Sequence, residues 1–318
     1  MDIIKNISII FTSIFFESLP FLLLGSLISA IIETYVSNET IAKIIPKNKI
    51  LGSIVGVCLG FFLPACDCAV IPVSKRLLKK KVPVNVAISF MLASPIINPV
   101  VLLSTYYAFY KTNPNIFFCR LLFGIIISLI IGIIMGIVYG KKEVTTNNIE
   151  DCECHKHEEI DEDFMDLAEE LGEVECDCHH GPHSLKNDIL NIFKHTAYDM
   201  FEVIKYLMFG ALLASFIQVL LPRNVLLIFK ENKILSVVIM MIFAYLISLC
   251  STSDSFVGKS LLSSFNQNAI IAYLLLGPMI DIKNTIVLLG NYKKNFVITL
   301  ISLIFITIFI FSMVVIKI

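Results

Sequence analysis

The sequence predicts an all-α, polytopic integral membrane protein of about eight transmembrane helices, in two duplicated halves with proline-broken segments. Three observations predict it. Charged residues are 16% of the chain and hydrophobic residues 57%, against about 25% charged in ordinary soluble domains. The uncharged runs reach the length a bilayer demands, about 20 residues per helix. Long stretches of the first half also recur in the second.

Residues 7–32 form the first span, interrupted by Glu17 and Pro20. Asp2 and Lys5 precede it and no small-residue cleavage site follows, so it reads as a retained span and not a signal peptide. A polar link over 33–49 carries Lys43, Lys47 and Lys49. A second span begins at Ile50 and runs into FFLPACDCAVIPVS at 61–74. The most basic patch follows: Lys75, Arg76, Lys79, Lys80 and Lys81. Residues 82–110 are uncharged but broken by Pro95 and Pro99, and a fourth span covers about 117–139, with Arg120 near its start.

The pattern then returns. FESLPFLLLGSLISAIIE at 16–33 aligns with FEVIKYLMFGALLASFIQ at 201–218, pairing Glu17 with Glu202 and Gly25 with Gly210. Lys49-Ile50-Leu51 pairs with Lys233-Ile234-Leu235, and SPIIN at 94–98 with GPMID at 277–281. The Cys-Asp-Cys segment falls opposite Cys250 to Asp254. Interrupted segments at matching places in duplicated halves point to a transporter's substrate site. The expected organisation is a first membrane repeat over 1–140, an acidic Cys/His-rich soluble insert over 141–190 and a second repeat over 191–318.

Charge divides the chain the same way. Residues 141–183 hold 15 of the 26 acidic residues and 3 of the 25 basic ones, leaving 22 basic against 11 acidic elsewhere. Basic loops on an apolar body suit a multi-pass protein of the bacterial inner (plasma) membrane, with the insert cytoplasmic. Eight full crossings put the 75–81 patch, Lys141-Lys142 and both termini inside, and Lys293 and Lys294 outside. Whether the halves are parallel or inverted depends on whether the broken segments cross or turn back.

Cys66, Asp67 and Cys68 are the first candidate site. Thiolates suit copper(I), zinc and similar soft ions, and trivalent arsenicals. A spacing of one residue cannot share a face of a regular helix, but works where prolines interrupt it. Buried cysteines can also be plain small hydrophobes, a reading that leaves Asp67, Pro64 and Pro72 unexplained. Cys250 and Asp254 are the second-half counterparts. Intramembrane carboxylates are costly and often relay protons, which marks Glu17 and Glu202, although both could instead reach the headgroups. Asp281 is a weaker candidate because Lys283 can pair with it, and Lys259 can do the same for Asp254. Asn98 and Asn284 can supply amide oxygens beside carbonyls freed by the prolines.

The insert carries Cys152, Cys154, His155 and His157, then Cys176, Cys178, His179, His180 and His183. Paired Cys-x-Cys-His clusters give the mixed sulfur and nitrogen ligation that zinc and copper prefer. A linker with incidental ligands is the bland alternative. The glycines over 124–140 read as a helix-packing face. Nine cysteines without an extracellular framework argue for reduced thiols.

The run CDCAVIPVSKRLLKKKVPVNVAISFMLASPIINPVVLL resembles the bacterial predicted-permease family that includes ArsP-like organoarsenical efflux permeases. Cys66, Cys68, Pro72, Pro95, Asn98 and Pro99 match its Cys-x-Cys, Val/Ile-Pro and small-Pro-x-x-Asn-Pro pattern. The resemblance covers both membrane halves and excludes the insert. It implies an eight-span permease and, for some members, efflux of trivalent arsenicals through cysteine ligation. Asp67 stands where a small or hydroxyl residue is expected, which shifts the expectation toward a metal cation.

The expected function is secondary-active efflux of a soft metal ion or metalloid through Cys66, Asp67 and Cys68, not enzymatic catalysis. Its partners are the bilayer and the substrate, with no nucleic acid. No cofactor is required, and zinc or copper is bound by the insert. The competing reading is a membrane-bound metal sensor or scaffold acting through the insert. A thiol oxidoreductase ranks last.

Overall fold

The structure is a computed structural model describing residues 2–35, 46, 48–63, 67–140, 142, 144–145, 185–220, 232–262 and 264–315. Cys66 and the insert clusters from Cys152 to His183 fall outside the described residues.

The described residues form helices: α1 (Asp2–Tyr35), α2 (Lys49–Phe62), α3 (Asp67–Lys79), α4 (Val84–Ile97), α5 (Pro99–Phe109), α6 (Asn115–Val138), α7 (Leu185–Leu220), α8 (Lys233–Ile247), α9 (Ser251–Leu261), α10 (Gln267–Met279), α11 (Ile282–Asn291) and α12 (Lys294–Val315). One isolated β-bridge joins Thr145 to Tyr292. Five segments are long and apolar enough to cross a membrane: Ile4–Ile31, Val84–Phe109, Asn115–Val138, Gln267–Asn291 and Lys294–Met313. Three shorter apolar helices, Lys49–Phe62, Val203–Val219 and Lys233–Ile247, accompany them.

Helix starts follow ordinary capping chemistry, in which a side-chain oxygen accepts an otherwise orphaned backbone N–H. Asn48 accepts from Ile50 at 3.1 Å and Asn232 from Ile234 at 3.2 Å. At the two central breaks, Asn98 accepts from the Val100 N–H at 3.0 Å and Asp281 from the Asn284 N–H at 2.6 Å. Proline at the first position of α5 completes one break, since its missing N–H would be orphaned there anyway.

Side-chain contacts fix the helix directions. Asn85 donates to the Lys49 carbonyl at 2.8 Å and Ser94 to the Leu63 carbonyl at 3.2 Å, so α2 and α4 run in parallel. Ser74 lies 3.6 Å from the Met91 sulfur, and the Val82 N–H bonds back to the Leu77 carbonyl, so α3 runs against α4. Therefore α2 and α3 form an antiparallel hairpin. Each arm is about 20 Å long at 1.5 Å per residue, short of the roughly 30 Å hydrocarbon thickness. α2 ends at Phe62 and α3, opening at Asp67, runs back in the opposite direction.

The second half does the same. Asp254 packs against Gly277 and Gly258 against Leu274, setting α9 against α10. Phe243 meets the Tyr273 ring at 6.0 Å, and Ser248 lies 3.5 Å from the Lys283 N–H, so α8 runs with α10 and α11.

Directions between the halves are opposite. Tyr139 reaches Thr299 at 2.9 Å while Phe123 meets Phe311 at 5.5 Å, so α6 and α12 are antiparallel. Asn113, beyond α5, donates to Gln267, at the start of α10, at 3.0 Å. The pair α10–α11 thus begins where α4–α5 ends.

One sequence expectation is corrected by this. The Lys293 N–H donates to the Val144 carbonyl at 2.9 Å, so Lys142 and Lys293 lie at the same end of the bundle. Eight full crossings would have put them at opposite ends. The discrepancy arises because α2 and α3 run out and back, as do α8 and α9, so neither pair changes the end of the bundle at which the chain lies.

Every residue of α4 from Val84 to Ile97 is buried, and α10 is buried from Ala269 to Met279, so these two helices form the centre. Close packing onto α4 depends on small residues. A Cβ on Gly56 would collide with the Val86 carbonyl, and one on Gly60 would sit 2.9 Å from the Ser94 nitrogen. Gly132 and Gly136 of α6 press on Ser89 and Asn85 from the other side, as expected of a packing face.

Candidate functional site

The first residues of α3 and α9 meet in the middle of the molecule. Asp67 opens α3 and Ser251 opens α9, and the Ser251 hydroxyl donates to Asp67 Oδ1 at 3.4 Å. Two helix N-termini, each with partial positive charge, therefore meet at one buried carboxylate, itself 4% exposed.

Next to this junction is a cavity lined by Ile14, Glu17, Ser18, Phe21, Asp67, Cys68, Ser248, Cys250 and Lys283. Its volume is about 10 Å³, room for about one water, so the site is small in this conformation. Cys68 is buried and its sulfur lies 3.7 Å from Asn284 Oδ1 and 4.0 Å from the Ser18 hydroxyl. Cys250 is half-buried, 3.4 Å from the Thr252 hydroxyl. Glu17 is exposed at the rim.

Matching glycines let α1 and α7 approach. A Cβ on Gly25 would stand 2.5 Å from the Ala69 Cβ, and one on Gly210 would stand 3.1 Å from the Lys283 Cα. Both contacts bear on residues beside the cavity, which gives the Gly25 and Gly210 pairing a physical role.

Other candidates are placed apart. Asp281 is fully buried and caps α11, with Lys283 Nζ 3.7 Å from its second oxygen. That is the pairing its sequence neighbourhood suggested. Asp254 does not pair with Lys259, which is exposed. It accepts from the Tyr273 hydroxyl at 3.0 Å, and its other oxygen has no hydrogen-bond partner. Asn98 is buried and caps α5. Glu202 lies in α7. Among the described residues no group of three or more His, Cys, Asp or Glu side chains is arranged to hold a metal ion.

Sequence reasoning missed two buried cations. Arg120 is 0% exposed and donates to the Thr105 hydroxyl at 2.7 Å, the Ser255 hydroxyl at 2.8 Å and the Ser251 carbonyl at 3.3 Å. Thr105 and Ser255 also bond each other at 2.9 Å. Lys75, expected in a cytoplasmic basic patch, is buried and donates to Asn291 Oδ1 at 3.1 Å. Ser74 pairs with the Tyr292 hydroxyl at 2.6 Å one position earlier. The chain signals were weak, since Arg120 resembles a span-start anchor and Lys75 a loop lysine.

These bonds form two polar seams between the halves, α3 on α11 and α5 with α6 on α9. Interhelical hydrogen bonds in membranes average about 0.6 kcal/mol, so the two bonds of the first seam are worth only about 1 kcal/mol and the three between the halves in the second about 2 kcal/mol.

Comparison with known proteins gives a consistent picture. The chain is 34% identical over 291 residues to a Streptococcus mutans protein named "Putative two-component membrane permease complex subunit", covering 91% of this chain and 87% of that one. It is 36% identical over 300 residues to the "UPF0718 protein YcgR" of Bacillus subtilis, covering 92% and 91%. No solved structure matches. The ArsP family model, described as "Predicted permease", matches residues 3–316. With a fold of apolar helices around a buried polar centre, the chain is a multi-pass membrane protein that belongs to this permease family, and so a transporter and not an enzyme.

Proposed function

We propose a secondary-active permease of the bacterial plasma membrane that exports a thiophilic metal ion or metalloid through the cavity at the hairpin tips. One observation carries this: Cys68 from the first half and Cys250 from the second line the same cavity, with Asp67 and Lys283 beside them. Cys66, next to Asp67 in sequence, is assigned to the same site. Soft sulfur ligands favour soft ions and trivalent metalloids.

We further propose that the halves, 1–140 and 191–318, are an inverted duplication. Six helices recur in the same order and at similar lengths: α1 to α6 and then α7 to α12. Antiparallel α6 and α12 support inversion over a parallel repeat. Each half then contributes three crossings and one re-entrant hairpin, an arrangement suited to alternating access.

Lys49, Arg76, Lys79, Lys80, Lys81, Lys142, Lys293 and Lys294 stand at one end, against Lys5, Lys111, Lys233 and Lys259 at the other. The positive-inside rule makes the first end cytoplasmic. That assignment puts the insert over 141–190 in the cytoplasm, where its Cys/His clusters can take zinc or copper, and both termini outside. The name of the Streptococcus mutans relative supports a second subunit for this permease as well.

Flux in vesicles across zinc, copper(I), cadmium, arsenite and methylarsenite tests the assignment. We expect movement of one of them, abolished in Cys66→Ser/Cys68→Ser. A double variant that transports as well as the native chain overturns the site.

A further inference from the structure

The two polar seams stand on opposite sides of the hairpin junction. Toward the Lys142 and Lys293 end, α3 and α11 are joined by Ser74 with Tyr292 at 2.6 Å and Lys75 with Asn291 at 3.1 Å. Toward the other end, α5, α6 and α9 are joined through Arg120 with Thr105 at 2.7 Å and Ser255 at 2.8 Å. Between them lie Asp67, Ser251 and the cavity. Both seams join one half to the other, and both pair a re-entrant arm with the far part of a broken helix.

We propose that the two seams are the opposed gates of the permease, Ser74–Tyr292 and Lys75–Asn291 closing the cavity from the cytoplasmic end and Arg120–Thr105–Ser255 from the outer end. This inference rests on the permease reading and adds which residues control access from each side.

Three features fit a gate better than a static core contact. The bonded groups are polar and fully buried, where apolar packing would have been simpler. The bonds are few and individually weak, so they can break and reform during a cycle. Each seam also begins about one to two helical turns from the junction, close enough that parting it exposes Asp67 and Cys68. With both seams closed, the cavity has room for about one water.

Cys68 provides the readout, because it lines the cavity and needs no known substrate. The test uses the full chain in membranes of known orientation, with Cys68 kept and the other native cysteines replaced by serine. A charged, membrane-impermeant methanethiosulfonate is added to one side at a time. Ser74→Ala/Tyr292→Phe should raise Cys68 labelling from the cytoplasmic side by about threefold, the loss of one interhelical bond. Thr105→Val/Ser255→Ala should raise it from the outer side by at least as much. Both pairs remove hydroxyls without adding bulk, and only protein eluting like the parent on size exclusion is scored.

If both pairs raise labelling from the same side, or neither changes the balance while the parent reacts from both sides, the gate assignment fails and the permease reading stands. If Cys68 reacts from one side only in the parent and every variant, the permease reading fails and takes the gates with it.

Discussion

Ser251 donates to the Asp67 carboxylate at 3.4 Å across the meeting point of two helix N-termini, from positions 184 residues apart. Under the duplication proposed above these are equivalent positions, so the contact lies on the axis relating the halves. One member is charged and the other is a hydroxyl, which makes the centre of the molecule asymmetric.

Asp67→Asn should therefore keep the fold and lose transport. Removing the charge leaves two helix N-termini facing each other without their anion, and we expect flux to fall at least about tenfold, equivalent to about 1.4 kcal/mol. Ser251→Ala should cost only about 1 kcal/mol in thermal unfolding. Native flux in the asparagine variant would remove Asp67 from the site.

Arg120→Lys should be far from conservative. The guanidinium reaches a threonine, a serine and a backbone carbonyl at once, and a lysine ammonium cannot reproduce that planar fork. Leaving those buried acceptors without a donor should cost about 2–4 kcal/mol, visible as a lower melting temperature in detergent. A lysine variant as stable as the parent would show that these contacts contribute little.

Gly56→Val tests the first hairpin. A side chain there runs into the Val86 carbonyl, and backbone cannot yield as a flexible side chain would. We expect loss of folded protein, whereas Cys58→Val, at an exposed position on the same helix, should be tolerated within about 0.5 kcal/mol. Equal yields of the two variants would contradict the α2–α4 packing.

Cysteine scanning separates the two topologies. Lys142→Cys and Lys293→Cys should label from one side of the membrane, and Lys111→Cys and Asn266→Cys from the other. Eight full crossings require Lys142 and Lys293 to label from opposite sides, so a single pair of reactions distinguishes them.

Removing residues 146–183 should leave part of the flux intact, because α1, α3, α9 and α11 supply the described contacts around Asp67, Cys68 and Lys283. Complete loss of flux from a stable truncated protein would favour the sensor reading of the insert.

Much of the fold was legible in the sequence. Hydropathy marked the membrane segments, and Pro99 marked the break after α4, where it stands at the first position of α5; the helix runs on through Pro95. Direction was not legible: an apolar helix followed by a break looks the same whether the next helix proceeds or turns back. Only tertiary contacts such as Ser74 with Tyr292 decide it. Lys75 and Arg120 were opaque for the same reason. Their partners, Asn291 and Ser255, lie 216 and 135 residues away, and composition alone puts lysine and arginine at a membrane surface.

The shared end of Lys142 and Lys293 also bears on biogenesis. Under the inverted duplication proposed above, the insertion machinery meets two nearly equivalent ways to thread the chain, so shape alone does not choose between them. The choice then depends on the excess of lysine and arginine at one end, added residue by residue during synthesis. Moving a handful of those charges to the opposite end would yield a mixed population of upright and upside-down molecules, each with its central junction intact.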